Sequence, residues 1–112
     1  MSYASMAWGM RVINEYIRYR IPSNRHKDFV ADYARAGKFL RASPVCHGYD
    51  LSRCEEDPEC FILRIVWTST QDHLSKFRGS EEFKGFLAAI KSYVPSIEEM
   101  RHYEPSEVQW TR

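Results

Sequence analysis

The octapeptide CFILRIVW, residues 60–67, is the strongest constraint on what this chain can fold into. Its residues are β-branched, aromatic or aliphatic, and both alternating faces are apolar apart from Arg64. A strand of that composition cannot leave either face in water, so the segment predicts a central strand covered on both sides. With 112 residues the chain amounts to one domain, and a domain of this size buries only about 65% of the surface its unfolded chain exposes. Every other element must therefore pack on or beside this strand.

Residues 11–21, RVINEYIRYRI, alternate: Ile13, Ile17, Tyr19 and Ile21 share one face, with Asn14, Tyr16, Arg18 and Arg20 on the other. That period of two predicts a first strand. Pro22 and Ser23 break it, and Phe29, Tyr33, Ala36 and Leu40 then recur at helical spacing up to Arg41, with Ser23 or Asn24 as the expected N-cap. Ser43 and Pro44 end that helix, HGYDLSRC reads as a second strand, and CEEDPE as a hairpin loop into strand three. Ser69 with Asp72 resembles a capping box before a short helix carrying Leu74 and Phe77, which Gly79 closes. Ser80 caps a further helix whose stripe is Phe83, Phe86, Leu87, Ile90 and Val94, stopped by Pro95, and IEEMRHYE reads as strand four. The predicted order is β-α-β-β-α-α-β, an α+β class. Residues 1–10 are expected to be a flexible extension, 11–105 the domain, and 106–112 a polar tail whose Trp110 is available to a partner.

The formal charge is +1 with acids and bases interspersed, so no field exists to hold a phosphate backbone or an anionic bilayer. Neither nucleic acid nor membrane is an expected partner. Cys46, Cys54 and Cys60 are odd in number and lack CxxC spacing, which predicts reduced thiols in a cytoplasmic protein rather than a disulfide framework or structural zinc. Two main helices cover one face of a single sheet, and Tyr16 and Val66 lie on the other. Pairing of two copies sheet to sheet would bury them. The alternative is a far face that is simply polar, since Arg18, Arg20 and Arg64 fall there too.

The stretches YIRYRIP, SPVCHGYDLSR, EDPECFILRIVWTSTQDHLSKFRGSEEFKGF and IEEMRHYEP, spanning residues 15–105, resemble the antibiotic biosynthesis monooxygenase family. The most specific pieces are the strand ending in tryptophan and TS, the FRGSEEF helix start and the terminal HYEP. The resemblance implies a ferredoxin-like protomer, an antiparallel sheet covered by helices on one face and paired into a dimeric α/β barrel, with a pocket between sheet and helices. It also implies an activity: some members oxidise anthrones or quinols with molecular oxygen and no metal or cofactor, and others degrade haem. Members that oxygenate aromatic polyketides carry a tryptophan at the position of Trp67, which the resemblance makes a pocket wall. Where they have asparagine this chain has Leu63, where they have tyrosine it has His73, and Lys84 falls near their helix arginine. The haem-degrading branch needs an axial histidine at about Leu87, which this chain lacks.

Oxygenation without a cofactor requires a substrate that becomes electron-rich on losing a proton, hence one base and an apolar aromatic pocket. His73 and His102 are the candidate catalytic bases, because imidazole titrates nearest neutral pH; each is equally readable as a satisfied structural residue. Trp67, Phe29, Tyr33 and Phe86 are candidates to line a flat pocket, although the periodicity of Phe29 and Phe86 also fits ordinary core. Tyr19, Tyr33 and Tyr49 offer hydroxyls to a substrate oxygen, to the backbone or to solvent, and Lys84 offers a cation to an anionic oxygen or to water. His47, His73 and His102 lie on separate elements without HxxxH spacing, so no metal is expected, and the resemblance implies no cofactor. The function expected is a homodimeric cofactor-independent monooxygenase of a small aromatic or quinol-like compound. The alternative is a non-catalytic module that binds a ligand or a protein with the same surfaces.

Overall fold

A computed structural model describes residues 11–112; the expected N-terminal extension lies outside the described residues. Strand β3 spans Cys60–Trp67 and lies between two neighbours in a four-stranded sheet of order β2-β3-β1-β4, where β1 is Ile13–Arg20, β2 is Cys46–Arg53 and β4 is Ile97–Tyr103. All pairings are antiparallel, with Ile13 opposite Trp67, Cys46 opposite Trp67 and Ile17 opposite Met100. The sheet and its three helical segments form the α+β class expected from the element order and the ferredoxin-like arrangement implied by the resemblance.

Helix α1, His26–Arg41, buries Phe29, Tyr33, Ala36, Gly37 and Leu40 against the sheet. Burial of a side chain the size of Phe29 or Leu40 stabilises the domain by roughly 1.5–3 kcal/mol each. The start differs from the expectation: a 3₁₀ turn, Ser23–Arg25, leads into α1, and neither Ser23 nor Asn24 makes a side-chain cap. Pro22 ends the strand and its fixed φ of −56° begins this turn instead.

Ser69 accepts a hydrogen bond from the Asp72 amide and starts α2, Thr70–Asp72, which widens at once into a π turn over His73–Phe77. The Arg78 amide donates to the His73 carbonyl five residues back, and the wider turn rotates His73 and Phe77 inward while leaving Leu74 48% exposed. Helix α3, Glu81–Ile90, is capped by Ser80, whose hydroxyl accepts from the Phe83 amide. It approaches α1 closely at Gly85, where a Cβ would overlap the Phe39 ring. Beyond Ile90 the chain tightens into a 3₁₀ helix, Lys91–Ser96, so the next buried residue is Tyr93 and not Val94, which is 42% exposed. The stripe expected to end at Val94 shifts by one because 3₁₀ geometry repeats every three residues.

On the outer sheet face Arg64 pairs with Asp50, Arg18 with Glu98, and Arg20 with Asp57 and Glu98. Tyr16 and Tyr103 meet edge to face there at 5.4 Å. No helix among the described residues is long and apolar enough to cross a membrane.

Candidate functional site

Two places on the helix-covered side bring functional side chains together. The first is an open cavity of about 490 Å³ between α1 and the edge formed by β2 and β3. Val30 and Ala34 of α1 face Leu51, Phe61 and Leu63 of the sheet across it, and His26, Lys27, Tyr33, Tyr49 and Arg53 supply the polar groups. Cavities of roughly 300–1,000 Å³ with apolar walls and a few polar groups are the usual form of a small-molecule site.

Each polar group has a defined role in the cavity wall. His26 Nε2 lies 2.6 Å from the Ile21 carbonyl oxygen. A carbonyl can only accept, so Nε2 carries the proton and Nδ1 is the basic nitrogen. The His26 ring also meets Phe61 edge to face at 5.0 Å, which fixes its plane. The Tyr49 hydroxyl accepts from Arg41 Nη1, leaving its own proton to donate. Tyr33 shares a hydrogen bond with Tyr19; burial raises both phenols, Tyr19 to about 12, so both remain protonated.

The second place is a cluster at the far end of the same sheet face. Trp67 is fully buried and donates through Nε1 to Glu15 Oε1 at 2.9 Å. The His73 ring stacks on the Trp67 indole, 4.4 Å between centroids and 8° from parallel. His73 Nδ1 lies 2.8 Å from His102 Nε2 on β4, one nitrogen donating and the other accepting. Burial, then the Arg78 charge, then His102 lower His73 to about 3, so it is a neutral ring. Its Nε2 is 3.7 Å from Glu15 Oε1, a contact that is not an ion pair while the ring is neutral. Glu15 is 1% exposed, and its Oε2 has no hydrogen-bond partner. Burial raises its proton affinity, which the Trp67 hydrogen bond and the Arg78 charge partly offset.

Among the described residues Glu15, His73 and His102 are the group whose ligand atoms converge as a metal site requires, within 4.8 Å of one another. Against a cation stand the Arg78 charge, felt by all three, and the bond that already joins the two rings.

Of the residues singled out in the sequence, Tyr33 and Tyr49 line the cavity. Trp67, Phe29, Phe86 and Tyr19 are buried in the core and are not among its walls. Helical and strand periodicity placed them inside, and inside here means packed: Phe29 alone meets four rings at about 5 Å. Lys84 pairs with Glu81 on the exposed side of α3, away from the cavity. His73 and His102 meet each other but do not line it. Leu63 lies between: on an antiparallel strand its distance to Trp67, four residues on, is about 13 Å.

His26 and Glu15 were not singled out in the sequence. Glu15 had a legible signal, since it occupies the inward phase between Ile13 and Ile17, where a carboxylate does not belong unless it has partners. His26 had none, because a histidine after a proline break also suits a solvated first helical turn.

A helix-covered antiparallel sheet with an apolar cavity between helix and sheet defines an α+β domain of the ferredoxin-like kind. The chain belongs to the antibiotic biosynthesis monooxygenase family, whose model matches residues 12–101. Its structure is similar to that of a candidate antibiotic biosynthesis monooxygenase from Bordetella bronchiseptica, with a TM-score of 0.70, 25% identity, and coverage of 89% of this chain and 100% of that one. It also shares its fold with SnoaB, a cofactor-independent oxygenase from Streptomyces nogalater, at a TM-score of 0.66 and 17% identity over 88% of this chain and 95% of SnoaB. In sequence it is 26% identical over 72 residues to the uncharacterized protein YczJ of Bacillus subtilis, 59% of this chain and 76% of YczJ.

Proposed function

We propose that the chain is a cofactor-independent monooxygenase that holds a small aromatic or quinol-like compound in the cavity between α1 and the sheet. The observation that carries this is the apolar slot between Val30 and Ala34 on one side and Phe61 and Leu63 on the other, with one oriented imidazole and one free phenolic proton at its wall. His26 Nδ1 takes the acidic proton of the bound compound, and the Tyr49 hydroxyl donates to the oxyanion that results. The electron-rich anion then reduces oxygen. For a methylene flanked by aromatic rings, one oxygen atom becomes the new carbonyl and the other leaves as water with the two hydrogens, so no external reductant is needed. On this reading the Glu15, His73 and His102 cluster braces Trp67 and the end of the sheet and does not touch substrate.

The test is oxygen uptake with a panel of anthrones and hydroquinones. An Ala34→Trp variant that fills the cavity should abolish turnover, and His26→Gln should lower kcat by about 10²-fold, the usual share of a general base. Uptake by Ala34→Trp equal to that of the parent would remove the cavity from the reaction. A compound that raises the unfolding temperature but is recovered unchanged in air would favour the non-catalytic binding module instead, a reading supported by the distance of His73 and His102 from the cavity.

The same reading places the protein in the reducing cytoplasm, in keeping with free Cys46, Cys54 and Cys60. It also pairs two copies through the outer sheet face, where Tyr16, Ile62 and half-exposed Tyr103 stand among the ion pairs. Sedimentation of Tyr16→Glu as a monomer beside a dimeric parent would bear this out; identical sedimentation would not.

A further inference from the structure

Charge around the cavity is one-sided. Elsewhere on the surface some cations sit on carboxylates, as Arg20 does on Asp57, Arg64 on Asp50 and Lys84 on Glu81. Lys27 and Arg53 have no ion-pair partner among the described residues, and both line the cavity. They come from opposite walls, Lys27 from the first turn of α1 and Arg53 from the last position of β2. No aspartate or glutamate is among the lining residues; the acidic group nearest in sequence, Asp28, is exposed and lies outside the lining. The N-terminal end of a 16-residue helix adds its own partial positive charge beside Lys27.

Two cations on opposite walls of one apolar slot raise the potential at its rim, and an anion bound there lowers it. We propose that the cavity selects an aromatic anion, a planar ring system bearing a carboxylate, with the ring against Phe61 and Leu63 and the carboxylate between Lys27 and Arg53. This rests on the reading of the cavity as the ligand site and adds the charge of the ligand to it. Arginine presents a planar fork that matches a carboxylate, and lysine a movable point charge, so the pair suits a carboxylate at the rim better than a neutral polar group. Because both side chains reach into water, the attraction is screened by salt.

Titration calorimetry with 2-naphthoate and its neutral isostere 2-naphthamide tests this on the full chain. The parent should bind 2-naphthoate about tenfold more tightly than 2-naphthamide at low salt, as two partly exposed ion pairs allow, and 0.5 M NaCl should shrink that ratio. In a Lys27→Gln, Arg53→Gln double variant the ratio should fall to about one. Both positions are on the surface, and an unchanged unfolding midpoint confirms an intact fold. Equal binding of the two probes by the parent, or a tenfold ratio that survives in the double variant, overturns the anion inference while the aromatic site stands. Binding of neither probe overturns the cavity as an aromatic site and the inference with it.

Discussion

Acid should unfold this protein partly through one imidazole. His73 is held neutral in the fold at about 3, against an ordinary value of 6.5. The sign follows from which state binds the proton: below pH 6.5 the unfolded chain protonates His73 and the folded chain does not, so stability is lost as pH falls and the loss levels off near pH 3. At pH 4.5, two pH units below the ordinary value, the loss is on the order of 2–3 kcal/mol, from about 1.36 kcal/mol per pH unit. Glu15 acts in the opposite sense. Its folded value is raised above 4.5, so its contribution is present at low pH and disappears as pH rises through the folded value. The clean comparison therefore uses Glu15→Gln as the reference, since glutamine can still accept from Trp67 and does not titrate. Urea unfolding, followed by fluorescence of buried Trp67, is measured at pH 7 and pH 4.5 in Glu15→Gln and in Glu15→Gln, His73→Gln. The double variant should lose on the order of 2–3 kcal/mol less over that interval. His102, lowered by the same burial and the same Arg78 charge, remains in both proteins. Equal losses within about 0.5 kcal/mol, the usual additivity error, would show that His73 is not held neutral by the fold.

Gly37→Ala places a Cβ where the Tyr49 hydroxyl now lies, and the movable end of that side chain can swing away. Alanine's better helix propensity, about 1 kcal/mol, should keep the melting temperature near that of the parent, while 2-naphthamide affinity falls several-fold as Tyr49 leaves the wall; unchanged affinity would remove Tyr49 from the site. Ser80→Ala removes the hydroxyl that accepts from the Phe83 amide, and urea unfolding should show a loss of about 1 kcal/mol. Leu40→Ala opens a hole under a fully buried residue of α1 and should cost about 2–5 kcal/mol by the same assay; a loss under 1 kcal/mol would mean that α1 is not packed as described.

How much was legible in advance depended on whether a signal was local. Strand β3 was readable to the residue because all of its side chains but Arg64 are apolar, a pattern that suits a central strand. Both serine caps were readable because the donor and acceptor lie three residues apart, and the alternation of β1 identified its inward face. Geometry that departs from the standard periods was not readable: the π turn that carries His73 inward and Leu74 outward, and the 3₁₀ turn that exchanges Val94 for Tyr93, each change the repeat by less than one residue. The site was least legible. Trp67 and His73 stack on one another, but whether a buried aromatic lines a hollow or fills it depends on how closely α1 and α3 approach the sheet, and no residue type encodes that distance. The Glu15, His73 and His102 cluster joins β1, the π turn and β4; the cavity joins α1, β2 and β3. The sequence by itself determined the elements, their order and the inward phase of the sheet, because these follow from the spacing of neighbours along the chain. Only the tertiary structure decided which inward residues touch one another and which face an opening, because contact between residues 15 and 102, or a cavity shared by 27 and 53, is a property of packing.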